Sequence, residues 1–184
     1  MTAKKAYVFT ADGLEEVEAL TAVDLLRRGG IETVMVSLTD SLTVPGSHGI
    51  VFQADALFDS CGFSDADALV LPGGMPGTLH LKDHQGLAQE LKKAAADGKY
   101  VCAICAAPRV IGLLGLLEGQ TATCYPGNEQ FLLGARTTEN PVEVSGKFIT
   151  SRGVGTAVEF AQAIVSQLQG AEAAARLRTA IIAD

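Results

Sequence analysis

A short apolar run followed by a stretch of helical length recurs along this chain, and that alternation limits the fold more than any other property of the sequence. The run Lys5–Thr10 reads as a strand. Behind it, Asp12-Gly-Leu-Glu15 forms a capping box that predicts a helix to about Gly29. Glu32–Ser37 and Asp67–Pro72 read as further strands, the latter ending in a Gly-rich turn, and a helix is expected from about Asp83 to Asp97. Gly98–Ile104 is apolar without alternation, the pattern of a strand buried on both faces. A helix to about Leu117 and a strand at Thr121–Cys124 follow. Two segments, Leu42–Gln53 around Pro-Gly-Ser-His-Gly and Pro141–Ser151, read as hairpins. Helices from about Gly155 to Gln169 and Ala171 to Ile182 complete the order.

Such alternation calls for an α/β fold, a mainly parallel sheet with helices on both faces. The functional site then belongs at the carboxyl ends of the strands. Five turns qualify: Thr10–Glu18, Leu71–Thr78, Ile104–Pro108, Cys124–Asn128 and Ser151–Thr156. The 184 residues contain no repeat, low-complexity tract or linker, so one domain over 1–184 is expected. A chain of this size buries roughly 70% of its unfolded surface and needs no disulfide or metal staple.

Charge and hydropathy narrow the function classes. Fourteen Lys and Arg face 21 Asp and Glu, a formal net charge of −7, which disfavours nucleic acid as the primary ligand. The most apolar stretch, Tyr100–Leu117, is interrupted by Pro108 and Arg109, so no membrane span is expected. The N-terminal run is too short for a signal peptide, and a cytoplasmic protein is the expectation. Its four cysteines, Cys61, Cys102, Cys105 and Cys124, then read as thiols.

Cys105 stands directly after the central strand and before a helix, where first-turn amides of Ala106 and Ala107 and the helix dipole would favour a thiolate. Position alone leaves two readings open, an activated nucleophile and a buried structural cysteine. Cys102 and Cys105 form a C-x-x-C, but Cys102 lies inside the strand and no second pair supports zinc or redox exchange. His80 and His84 read as a solvated helix start. Glu15, Glu16 and Glu18 suit the first turns of a helix without further function. Glu18 differs, because Leu14, Ala22 and Leu25 surround it on the helical wheel; a desolvated carboxyl with raised pKa stands beside the alternative of a surface acid. Val17 and Leu20 among charged neighbours suggest a subunit interface. The turn Gly73-Gly-Met-Pro-Gly77 is either an anion-binding nest or only a turn.

Four motifs, Asp12-Gly-Leu-Glu-Glu-Val-Glu18, Leu71-Pro-Gly-Gly74, Ala103-Ile-Cys-Ala-Ala-Pro108 and Thr150-Ser-Arg-Gly-Val-Gly-Thr156, together resemble the DJ-1/ThiJ/PfpI superfamily. The resemblance is nearest to the DJ-1 branch with its bacterial YajL-like members. It implies a flavodoxin-like fold, Cys105 as the reactive nucleophile and Glu18 as its protonated partner. Gly74 and Ala106 match the oxyanion donors, and Arg28 matches an arginine that reaches toward the neighbouring subunit's site in a homodimer. The chain departs from many family members at Tyr125, where they carry a histidine, so a papain-like Cys-His pair is not expected. Ala106 after Cys105 disfavours the protease branch. The implied chemistry needs no metal or cofactor: Cys105 attacks glyoxal, methylglyoxal or their early adducts on protein or small thiols and amines, as in a glyoxalase III-like enzyme or deglycase. The alternative is a redox-sensing, chaperone-like protein switched by oxidation of Cys105 to the sulfinate.

Overall fold

The computed structural model describes residues 3–183; Met1, Thr2 and Asp184, part of the expected 1–184 domain, lie outside them. In chain order the elements are β1 (Lys5–Thr10), α1 (Glu16–Arg28), β2 (Glu32–Ser37), β3 (Thr43–Pro45), β4 (Val51–Gln53), β5 (Ala56–Leu57), β6 (Ala68–Leu71), α2 (Gly77–Asp83) and α3 (Gln85–Ala96). They continue with β7 (Tyr100–Ile104), α4 (Pro108–Leu113), β8 (Thr121–Ala122), β9 (Arg136–Thr137), β10 (Val142–Ser145), β11 (Phe148–Ser151), α5 (Ala157–Gln169) and α6 (Ala171–Ala180). Seven strands form one sheet in the order β10-β11-β7-β6-β1-β2-β5. Every pairing is parallel except that of the edge strand β10 with β11.

The core is two cores, one on each face. Along β1, Ala6 and Val8 face one cluster, with residues of α1, α5 and α6, while Tyr7 and Phe9 face the other, with residues of α2, α3 and α4. β7 divides likewise, Cys102 and Ile104 to one side and Val101 and Ala103 to the other. This is why the strand reads as uninterrupted apolar sequence. Strand order reverses at β1, with β2 on one side and β6 on the other, so the loops after β1 and β6 diverge and open a crevice at the carboxyl ends.

Four local expectations are corrected. The capping box at Asp12 does not open a helix there: Asp12 and Gly13 make a turn, and α1 starts at Glu16 with Glu15 as its cap. Tertiary hydrogen bonds override the local signal, since Gly13 N–H donates to Pro45 O at 2.8 Å and Glu15 N–H to Gly73 O at 2.9 Å. The histidine pair does not mark one helix start but two helices: His80 lies in α2, which the sequence reading missed, and the His84 ring accepts the Leu87 N–H at the head of α3. The helix after Cys105 ends at Leu113, where a turn closes on Gly115 at φ +75° rather than running to Leu117. The strand expected at Thr121–Cys124 is only two residues long and pairs with β9 outside the main sheet. The hairpin β3–β4 forms as a side element, and the second hairpin supplies β10 and β11.

Candidate active site

β7 runs into Ile104, and Cys105 then turns the chain with φ +65°, a left-handed conformation that residues bearing a Cβ seldom adopt. Two neighbouring loops hold it there. Its N–H donates to Ser151 O at 2.9 Å and its carbonyl accepts the Tyr125 N–H at 2.8 Å. Strain of this kind costs about 1–3 kcal/mol and persists only where surroundings fix it. The Ala107 amide is not free as expected from sequence; it donates to Ile104 O at 3.0 Å. The amides of Ala106 and Gly74 face the sulfur and favour its charged form.

Glu18 lies in the first turn of α1 and is fully buried, so of the two sequence readings the desolvated carboxyl among Leu14, Ala22 and Leu25 is the one found. Its Oε2 accepts the Gly73 N–H at 2.8 Å, while Oε1 is buried without a regular hydrogen bond of its own. Gly73 has no room for a side chain: an added Cβ would stand 2.6 Å from Cys105 Cβ and 2.7 Å from Glu18 Oε2. The Gly-rich turn is therefore more than a turn, because it lets carboxyl, backbone and thiol meet.

Burial pushes Glu18 up to about 7, against the Gly73 hydrogen bond and the Cys105 contact, which favour the carboxylate. Burial first, and then Glu18 through its charge and its contact, push the Cys105 thiol up to about 12, against the Gly74 and Ala106 amides. The thiolate preference expected from the elbow is thus outweighed by desolvation. Near neutrality the buried pair shares its first titrating proton, and the second charge is strongly opposed. Cys124 is also pushed up by burial, to about 11, and Cys102 is raised by burial alone. All four cysteines are free thiols.

A cleft of about 1020 Å³ opens over Cys105 and draws on all five turns singled out from the sequence. Glu15, Glu18, Gly74, Ala106 and Tyr125 line it. Two arginines that sequence reasoning missed, Arg109 and Arg152, line it as well. Arg109 stacks on Phe131, its guanidinium carbon 3.7 Å from the ring centroid. The signal for Arg109 was in the sequence: a cation in the first turn of a helix opposes the dipole and asks for a reason.

Tyr125 is exposed at the rim, and none of the three histidines lines the cleft. Arg28 is also outside the cleft within this chain; it pairs with Asp24 at 2.7 Å on the exposed face of α1. Val17 and Leu20 are exposed on that helix. Glu16, read from sequence only as an acid suited to the first turn of a helix, is buried and anchors the β3–β4 turn: it accepts the His48 N–H at 2.6 Å and the His48 ring Nδ1 lies 3.0 Å from its Oε2. Glu15 Oε2 lies 3.3 Å from the same ring atom, so this trio has the donors for a cation, but the turn already engages Glu16. Among the described residues no helix is long and apolar enough to cross a membrane.

Comparison with known proteins follows the same lines. Residues 4–167 match the DJ-1/PfpI family. The chain is 42% identical over 173 residues to protein DJ-1 homolog B of Arabidopsis thaliana, covering 93% of this chain but 40% of that protein, so it spans well under half the relative's length. It is 34% identical to the Parkinson disease protein 7 homolog of Danio rerio, over 99% of this chain and 98% of the other. A deglycase of Pyrococcus abyssi is 29% identical over 90% of this chain and 99% of its own. The solved structure of oxidized DJ-1 from Toxoplasma gondii superposes with a TM-score of 0.94 at 36% identity, covering 98% of each chain.

Proposed function

Because the chain belongs to the DJ-1/PfpI family, we propose that it is a Cys105-dependent enzyme of the glyoxalase III or deglycase type, acting on small dicarbonyls or their early adducts. The observation that carries this reading is the buried Glu18 carboxyl set against the Cys105 thiol beneath an open cleft. A general base works best with a pKa near the operating pH, and Glu18 at about 7 meets that condition. With methylglyoxal, the sulfur bonds to the aldehyde carbon as the thiol proton passes to Glu18, and the amides of Gly74 and Ala106 hold the new oxyanion. Protonation of that oxygen gives the hemithioacetal. Glu18 then removes the proton on the former aldehyde carbon and returns it to the adjacent carbon, leaving a lactoyl thioester. Water releases lactate and restores the thiol, so atoms balance as methylglyoxal plus water. The deglycase name of the Pyrococcus abyssi relative supports the same chemistry on adducts.

The wider reading includes a homodimer through exposed Val17 and Leu20, with Arg28 reaching the partner's cleft. The test is lactate release from methylglyoxal by the native chain and Cys105→Ser. Loss in the variant supports the proposal, and equal rates overturn it.

The oxidized state of the Toxoplasma gondii structure favours a second reading for the same pocket. In it Cys105 takes up two oxygens from peroxide, and the sulfinate is held by Glu18 and the two amides. Mass spectrometry after mild peroxide decides it: oxidation spread over Cys61, Cys102 and Cys124 that spares Cys105 counts against it.

A further inference from the structure

The free dicarbonyls are uncharged and only a few atoms across, whereas the cleft has the size of sites that hold much larger ligands. Its charged lining suits a different end group. The Arg109 side chain makes no hydrogen bond or ion pair among the described residues, and its Nε is buried without a partner although the residue lines the cleft. Stacking on Phe131 fixes the plane of that guanidinium. The fold also places this cation in the first turn of α4, where the helix dipole opposes it. Arg152 is nearly as available. It donates to the Glu139 carbonyl at 3.2 Å, and its nearest carboxylate, on the exposed Glu139 side chain, is 3.8 Å away.

We propose that Arg109 and Arg152 form an anion subsite in the cleft, so that Cys105 acts on carbonyl compounds or adducts whose far end bears a carboxylate. The proposal rests on Cys105 being the reactive thiol and adds the class of substrate it selects. A guanidinium presents a planar donor fork that matches a carboxylate. A single negative charge fits better than a dianionic phosphate, because Glu15 lines the same cleft and Glu139 already takes part of Arg152. The two arginines are the basic side chains of the cleft lining.

The test needs no turnover. Iodoacetate and iodoacetamide alkylate a thiol by the same displacement: sulfur bonds to the methylene carbon, iodide leaves, and the thiol proton goes to Glu18 or solvent. They differ in the charge carried beyond the reacting carbon. Rates at Cys105 are read by mass spectrometry, with N-acetylcysteine as the reference thiol. In the native chain the iodoacetate to iodoacetamide ratio should exceed the reference ratio by roughly tenfold at low salt and shrink toward it at high salt. Arg109→Gln and Arg152→Gln should each lower the ratio by about threefold or more, and Arg109→Lys should retain most of it. In the native protein, propionate should slow iodoacetamide at Cys105 while propionamide does not, a measurement independent of how any variant folds. A native ratio equal to the reference, or one unmoved by both glutamine substitutions, overturns the proposal. Protection by inorganic phosphate at lower concentrations than propionate overturns the carboxylate assignment. Failure of iodoacetamide itself to label Cys105 would instead remove the nucleophile reading on which the subsite depends.

Discussion

Glu18 reaches Gly73 with a 2.8 Å hydrogen bond from the glycine N–H, and the Gly73 Cα carries nothing that could separate that carboxyl from Cys105. Gly73→Ala would put a methyl 2.6 Å from Cys105 Cβ. The expected result is destabilisation of about 1–3 kcal/mol from overpacking, with loss of Cys105 alkylation. Gly153→Ala is the control, since its Cβ would meet Tyr125 at 3.4 Å and the Cys105 sulfur at 4.0 Å, ordinary contacts. Thermal melting and iodoacetamide labelling of both variants check the contrast.

Thiol reactivity against pH should show an inflection near 7 that belongs to the pair, where Glu18 becomes able to take the thiol proton. Glu18→Gln removes the base, so the inflection should vanish and turnover should fall by roughly 10²-fold or more. Glu18→Leu should in addition react more slowly at high pH, because it lacks any donor for the thiolate. Coincident profiles for the three proteins would take Glu18 out of the mechanism.

The same carboxyl makes stability depend on pH. Its pKa is raised from the ordinary carboxyl value of 4.5 to about 7 in the folded chain, so the folded state holds more protons than the unfolded one between those values. Stability should therefore fall as pH rises through that window, by up to roughly 3 kcal/mol for this group. Chemical denaturation at pH 4.5 to 8 should show a shallower slope for Glu18→Gln, which has no charge to bury. An unchanged slope would mean that Glu18 is not desolvated.

Glu16 works in the opposite direction. Burial alone would raise it, but hydrogen bonds from the His48 and Ile50 amides and the His48 ring hold it down at about 2. Its contribution is present above about 4.5, the unfolded value, and is lost as pH falls toward 2. Glu16→Ala should free the turn between Pro45 and Val51 at all pH values, seen as faster proteolytic cleavage there. His48→Ala should have a smaller effect, because Glu16 keeps its two backbone donors.

Much of this was legible in the residues. The parallel sheet followed from the alternation, and the apolar run at Val101–Ile104 announced a strand covered on both sides. Four of the five turns that line the cleft follow strands of the main sheet, whose topology puts them at one end, while the fifth, Cys124–Asn128, follows β8 outside that sheet and is tied in by the Tyr125 N–H donated to the Cys105 carbonyl. What escaped was set by long-range contacts. The Asp12 box yields to hydrogen bonds that the Gly13 and Glu15 amides donate to the carbonyls of Pro45 and Gly73, which lie more than 30 residues away. Glu16 reads in sequence as no more than a first-turn acid, and only the hairpin folding over it makes it internal. The raised thiol at Cys105 depends on how much water the cleft excludes, a quantity no spacing encodes.

The cleft takes its lining from five loops that are distant in sequence, four of them rising from the main sheet and the fifth from the separate β8–β9 pair. No contiguous fragment holds the whole site, so a chain shortened to any one of these loops and its strand loses the cleft. The reverse holds for change. The side chains of Tyr125 and Asn128 can be exchanged while the Tyr125 N–H still holds the elbow, so selectivity for what enters can drift while the reacting pair stays fixed.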